Sequence, residues 1–302
     1  MRVAVVYPDR RKWPKFDWVA RALDQLGHTV RHVRTIQELR EADGWADRVL
    51  FEHKAAGLCI PDLLAVADRH EAFWAQWWFD LVAVEPCKAL DQQEPFRVFG
   101  EVMRAMDVCL VRERSLIGEY RALGINATWA DQGCPSDLPA CEHREGPEFD
   151  VVLWGSSRGY RQRCEDARAL VEAGFVVAWA GHPGAKPRGV VPLPWCPPER
   201  LPELASRASL VLSADYRHDL DGYWSDRLWL AFGMGACVLR PWSPGLPKET
   251  PCHVYQDAGE LVALVDRLRQ DRTTREALGR QAREWTMSGH TYEHRLRGIL
   301  SC

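Results

Sequence analysis

No two cysteines of this 302-residue chain stand at Cys-x-x-Cys spacing, although the sequence holds 10 of them. Zinc and disulfide frameworks rest on close, repeated spacings. The scattered Cys59, Cys87, Cys109, Cys134, Cys141, Cys164, Cys196, Cys237, Cys252 and Cys302 therefore read as free thiols, several of them inside apolar strand patterns. No run approaches the roughly 20 apolar residues of a membrane span. Met1-Arg2 leads straight into Val3 to Tyr7, which reads as a first strand and not as a secretion signal. The net charge is only −3, so the broad positive field of a non-specific nucleic-acid binder is missing, while a local basic groove stays compatible with the sequence. The fingerprint G-x-G-x-x-G is missing as well. The turn after the first strand is Pro8-Asp-Arg-Arg-Lys-Trp-Pro14, which disfavours a two-domain dehydrogenase. A soluble cytoplasmic protein is the expectation, in the host cytoplasm if a phage encodes it.

What is present supports substantial cores: 46% of residues are hydrophobic, and the length suits two domains. Val3 to Tyr7, Thr29 to Val33, Arg48 to Phe51, Leu81 to Val84 and Val108 to Val111 predict strands. They alternate with helical patterns at Asp17 to Leu26, Pro61 to Arg69 and Phe96 to Met106. Such alternation implies a parallel sheet with helices on its faces, and ligands of such sheets sit at the carboxyl ends of strands. That rule draws attention to Asp9, Glu52, His53, Lys54 and Glu85, with Asp80 in the aromatic run Trp77-Trp78-Phe79 and Asp17 beyond the first turn. Each of these also serves as an ordinary loop or cap residue.

From about Gly133 to Phe149 the composition turns polar and turn-rich, as in an interdomain linker. A second series of strands and helices follows, beginning at Asp150 to Trp154, Tyr160 to Ala173 and Phe175 to Ala180. It continues with a short helix around Glu199 to Arg207, strands at Leu210 to Ser213 and His253 to Tyr255, and helices at Glu260 to Gln270 and Thr274 to Trp285. Within it, Gly222 to Gly245 carries an apolar helical segment, closed by Gly233 and Gly235 and followed by a strand at Ala236 to Leu239. The helix start lies beside Ser225, Asp226 and Arg227. Free backbone N–H groups next to a guanidinium make a natural diphosphate site, and the same residues serve equally as a plain αβ unit with Ser225 as N-cap.

Several ordered blocks share a pattern. They are Asp107-Val-Cys-Leu-Val with Glu119-Tyr-Arg-Ala-Leu-Gly-Ile125, and Asp150-Val-Val-Leu-Trp-Gly-Ser156 with Arg163 downstream. Further on come Ser225-Asp-Arg-Leu-Trp-Leu-Ala-Phe-Gly-Met-Gly-Ala236, Val254-Tyr-Gln-Asp-Ala-Gly-Glu-Leu261 and Ser288-Gly-His-Thr-Tyr-Glu-His-Arg295. In these blocks the chain resembles the CgeB-like glycosyltransferases of the GT-B group, close to the glycosyltransferase 1 and 4 type. The blocks cover most of residues 107 to 302, and residues 1 to 106 match only in pattern.

The resemblance implies an α/β fold of two Rossmann-like domains facing each other across a cleft. An acceptor domain is expected over residues 1–135 and a nucleotide-sugar donor domain over 150–285, with 286–302 a candidate to cross back to the first domain. It implies a hexosyl or pentosyl transferase moving a sugar from a nucleoside-diphosphate sugar, UDP foremost, to a hydroxyl of DNA, glycan or protein. The alternative is a non-catalytic nucleotide- or sugar-binding protein of the same fold. Neither cofactor nor metal is expected beyond the nucleotide-sugar co-substrate. A leaving diphosphate in a metal-free site needs cations and backbone donors, for which Arg158, Arg163 and Arg227 are candidates beside the helix start at Ser225 and Asp226, with His182 toward the base. A base for the acceptor hydroxyl is expected from Asp80, Asp17 or His53 if the reaction inverts configuration. One departure stands out: where the family carries a ribose-binding Glu three residues after the arginine, this chain has Leu230, and Asp226, Asp221 or Asp219 is the candidate substitute from the preceding loop. His290 is expected to be structural.

Overall fold

The computed structural model describes residues 1–7, 15–52, 65, 70–79, 96–158, 160–181 and 186–301. The chain forms two compact units, Met1–Gln132 with Tyr292–Cys302, and Gly133–Thr291.

The first unit runs β1 (Arg2–Val6), α1 (Lys15–Gln25), β2 (Thr29–Val33), α2 (Ile36–Asp43), β3 (Arg48–Glu52), β4 (Phe73–Trp77), α3 (Phe96–Arg104), β5 (Val108–Val111), α4 (Ile117–Ala122) and β6 (Ala127–Trp129). Among the described residues its six strands are parallel in the order β2-β1-β3-β4-β5-β6. In α1, Phe16, Val19, Ala20 and Leu23 recur at helical spacing and are buried, so the helix lays one face on the core. Gly27 follows at φ 80°, a left-handed turn that a residue with a Cβ rarely adopts. Helix α2 starts in a capping box: Thr35 accepts from the Glu38 N–H while the Glu38 carboxylate takes the Thr35 N–H.

Strand β4 differs from the expectation. The pattern favoured Leu81 to Val84, which falls outside the described residues, as does all but residue 65 of the helix expected at Pro61 to Arg69. The observed strand is Phe-Trp-Ala-Gln-Trp, whose tryptophans and Gln76 are buried. Burial on both faces removes the alternation that marks a strand, and aromatic residues pack well on a pleated surface. Trp78 Nε1 donates to Gln76 Oε1 at 3.0 Å, which answers the buried amide oxygen.

The second unit runs β7 (Phe149–Trp154), α5 (Arg161–Glu172), β8 (Val177–Ala180), β9 (Val191–Leu193), α6 (Leu201–Ser206), β10 (Ala208–Leu212), α7 (Asp226–Gly233), β11 (Val238–Pro241), β12 (His253–Tyr255), α8 (Ala258–Gln270) and α9 (Arg272–Gly289). Among the described residues its six strands are also parallel, in the order β12-β11-β10-β7-β8-β9. Residues 133–148, read from composition as a linker, are held on this unit by Cys141 N–H to Met234 O at 2.7 Å and by His143 Nε2 with Gly235 O at 3.0 Å. His290 lies against Trp285 and Trp229, with ring centroids 3.8 and 4.9 Å apart, as a structural role requires. The final helix α10 (Tyr292–Leu300) belongs to the first unit, where Tyr292 meets Trp18 at 6.1 Å between ring centroids. The described cysteines are free thiols, with Cys109, Cys134 and Cys237 buried.

Candidate functional site

In the second sheet the chain leaves β7 toward β8 and β9 on one side and resumes with β10, β11 and β12 on the other. The connections after β7 and β10 therefore diverge, leaving a crevice at their carboxyl ends, where ligands of such sheets bind. Ser156 and its neighbours leave β7 there, and Ser213, Ala214 and Asp215 leave β10.

Arg163, on the first turn of α5, fastens the two connections together. Its Nη1 donates to Ser156 O at 2.8 Å and its Nη2 to Ala214 O at 2.6 Å, and the side chain is buried. Arg227 stands close by. Its Nε donates to Trp154 O at 3.0 Å, while its two Nη atoms have no hydrogen-bond partner among the described residues. Gly155 is what admits it: at φ 102°, a Cβ there would lie 2.5 Å from Arg227 Nη2. The Tyr160 ring lies 4.0 Å from the Arg163 guanidinium carbon and 5.4 Å from that of Arg227.

The two cations respond differently to this crowding. Burial, aided by the Arg227 charge, pushes Arg163 down to about 9. Burial also opposes the Arg227 charge, but Tyr160, Asp226 and Asp215 outweigh it and raise that group above its ordinary value. Arg227 thus holds its charge with donors in reserve.

Helix α7 begins at the same place. Ser225 occupies its N-cap position with φ −76° and ψ 157°, yet no side chain caps the helix. This departs from the capping reading of the sequence. The Ser225 backbone N–H is drawn instead to Asp215 Oδ1 at 2.9 Å, and Ser225 Oγ is left buried without a hydrogen-bond partner, as is Ser213 Oγ. Asp215 is itself fixed by Arg240, whose Nη2 lies 3.1 Å from Asp215 Oδ2 and 2.8 Å from Ser243 Oγ. Among the described residues, an uncapped helix start, a buried unpaired hydroxyl and a guanidinium with free N–H groups thus stand together, the kind of donors that an anion requires.

Of the other expected site residues, Asp226 is buried in the first turn of α7 and Arg158 is exposed on the loop after β7. His182, Asp80 and His53 lie outside the described residues. Asp17, in the first turn of α1, accepts from Tyr7 Oη at 2.8 Å, and Tyr7 Oη lies 2.9 Å from His32 Nδ1. With its hydrogen committed to the carboxylate, Tyr7 accepts from His32 Nδ1–H. Leu230 is fully buried in α7. A cavity of about 100 Å3 past the ends of β8 and β9 is lined by Ala180, Pro194, Trp195, Cys196 and Arg200, and Trp195 is 40% exposed. Among the described residues no group of three or more His, Cys, Asp or Glu stands close enough to hold a metal ion.

Sequence reasoning missed Asp215, Arg240 and Tyr160. Arg240 left a signal, since a charged residue inside the apolar strand Val238–Pro241 has to find a buried partner.

The sequence profile of the family described as glycosyl transferase-like matches residues 138–301, more than half of the chain. The chain belongs to the glycosyl transferase-like family. It is a transferase of sugars, with the GT-B fold that its ordered blocks implied. Among solved glycosyltransferases, it resembles T4 phage β-glucosyltransferase in complex with UDP-glucose, with a TM-score of 0.70 and 13% identity over 100% of both chains. Anabaena HepE in complex with UDP and glucose matches with a TM-score of 0.67 and 11% identity, over 100% of this chain and 99% of that one. TarM matches with a TM-score of 0.60 and 11% identity over 84% of this chain and 54% of that one. At these identities the likeness establishes the fold. No curated protein sequence matches the chain significantly. No helix among the described residues is long and apolar enough to cross a membrane.

Proposed function

We propose that this glycosyltransferase moves a sugar from a UDP-sugar to a hydroxyl acceptor without a divalent metal, its diphosphate resting on the start of α7. The observation that carries the reading is the buried, unpartnered Ser225 Oγ at an uncapped helix start beside the Arg227 Nη atoms. Bond cleavage at the anomeric carbon leaves negative charge on the diphosphate. Arg227 N–H groups, the free N–H groups of α7 and the Ser225 hydroxyl are the donors that meet it. Arg158 adds a second cation from the loop after β7, and Arg163 holds that loop at a fixed distance from Ala214.

Toward the ribose we assign Asp226, because Leu230 offers no acceptor. The base is assigned to the cavity beside Trp195, whose ring suits stacking, together with His182. The UDP complexes of the T4 phage and Anabaena relatives favour uridine. One T4 phage structure also contains Mn2+, so activity in the presence of a chelator is the check on metal independence.

For an inverting transfer, a carboxylate or an imidazole takes the acceptor proton as the acceptor oxygen bonds to the anomeric carbon and UDP departs with the bonding electrons. Asp80, Asp17 and His53 are assigned to that task, and Asp17 gains support from the hydrogen bond that orients it. Residues 1–135 are proposed to offer the acceptor and 150–285 the donor. The T4 phage relative is described as a DNA-modifying enzyme, so a hydroxylated DNA base is one acceptor to test beside a glycan or a protein hydroxyl. Free thiols at the described cysteines favour the reducing cytoplasm. The test is UDP release from UDP-glucose and other UDP-sugars, with and without EDTA, against hydroxymethylated DNA and glycan acceptors. Chelator-resistant release that depends on acceptor is the expected result, and no release from any UDP-sugar would overturn the reading.

A further inference from the structure

A second cavity in Gly133–Thr291, of about 480 Å3, is lined by Arg161, Gln162, Glu165, Tyr216, Arg217, His218 and Asp219. That volume falls within the range of about 300–1,000 Å3 common to small-molecule sites. None of these residues belongs to the proposed diphosphate surface. The cavity adjoins it through Tyr160, whose ring meets that of Tyr216 at 5.4 Å and 69°.

The charges in the cavity are already matched. Arg161 Nε donates to Glu165 Oε1 at 2.7 Å, and Arg217 grips Asp219 through two hydrogen bonds of 2.6 and 2.5 Å. An anionic ligand would compete with those carboxylates for the same guanidinium groups, so the lining disfavours phosphate. What it offers is an array of planar donors and acceptors. Gln162 Nε2 donates to Asp166 Oδ1 at 2.8 Å, which leaves its carbonyl oxygen as an acceptor. Tyr216 is 44% exposed and lines the cavity, its ring at 69° to that of Tyr160.

We infer that this cavity is a subsite for a neutral sugar ring other than the sugar of the donor. A sugar carries C–H groups that pack on the electron-rich face of an aromatic ring. Each of its hydroxyls donates and accepts at once, as bridging between guanidinium N–H groups and carboxylate oxygens requires. The inference goes beyond the donor-site reading and does not depend on it.

The experiment titrates the full chain, without nucleotide, with maltose, cellobiose and lactose, followed by calorimetry or ligand-detected NMR. Wild type, Tyr216→Ala and Asp219→Asn are compared, with UDP and inorganic phosphate titrated separately. The expected result is that at least one disaccharide binds wild type, that Tyr216→Ala weakens it by about fivefold and that UDP affinity is unchanged. Asp219→Asn weakens the disaccharide as well, because an acceptor is lost.

Absence of disaccharide binding, or equal binding by Tyr216→Ala, overturns the inference. Phosphate binding that strengthens in Asp219→Asn overturns it in favour of an anion site. Loss of UDP-glucose affinity in Tyr216→Ala with free disaccharide unaffected assigns the ring to the donor and overturns it too. Failure of UDP to bind wild type sinks the donor-site reading alone.

Discussion

Arg240 and Asp215 form an ion pair at 3.1 Å in which neither side chain touches solvent. The pair joins the end of β11 to the connection after β10, and the Asp215 carboxylate also takes the Ser225 N–H at 2.9 Å. A buried pair is costly to break, because the remaining charge is stranded in a medium that cannot solvate it. Asp215→Ala is expected to destabilise the second unit by about 3–5 kcal/mol. Hydrogen exchange over β10 and β11 reads this, since a chain of two units need not unfold in one step.

Gly155 and Arg227 make the next prediction. Gly155→Ala combines an unfavourable φ of 102° with a Cβ driven against the guanidinium, so Arg227 has to move. UDP affinity should fall by about tenfold or more while the fold of the first unit persists, as read by calorimetry and circular dichroism.

Asp166 supplies a pH signature. Burial lifts its carboxyl to about 6 from the ordinary 3.8, against hydrogen bonds from Tyr255 at 2.6 Å and Gln162 at 2.8 Å. Between those values the folded chain keeps a proton that the unfolded chain has lost. The contribution to stability is complete below pH 3.8 and disappears as the pH rises to about 6. The loss is about 3 kcal/mol at most. Asp166→Asn should flatten this part of the stability profile in chemical denaturation across pH 4–7, and an unchanged slope would contradict the assignment.

Asp17 offers a kinetic test. If its carboxylate takes the acceptor proton, Asp17→Asn should lower kcat by about 10²–10⁴-fold with little change in the KM for the donor. Tyr7→Phe, which removes only the orienting hydrogen bond, should have a smaller effect. An Asp17→Asn enzyme with full kcat would move the role to Asp80 or His53.

Much of the architecture was legible because buried parallel strands betray themselves as short apolar runs, as at Val108–Val111, and the edge strands Thr29–Val33 and His253–Tyr255 also appear where the pattern put them. The strands that escaped notice are those whose signal is diluted. Phe73–Trp77 carries Gln76 and no alternation, while Ala127–Trp129 and Val191–Leu193 are only 3 residues long.

The candidate site was legible where chemistry sits in a local motif, as at Ser225 to Arg227. It was hidden where partners are far apart in sequence, as Asp215 and Arg240 are. Arg163 shows a further limit. Its residue type pointed to anion binding, but its guanidinium holds two backbone carbonyls, a use that only the loop geometry reveals.

The central claim, that the start of α7 and Arg227 hold the donor diphosphate, is tested most directly by calorimetric titration of UDP into wild type and Arg227→Ala. Wild type should bind, and the variant should lose on the order of 10²-fold in affinity through its missing charge-assisted hydrogen bonds. Equal UDP affinity in the two proteins, or none in wild type, would contradict it.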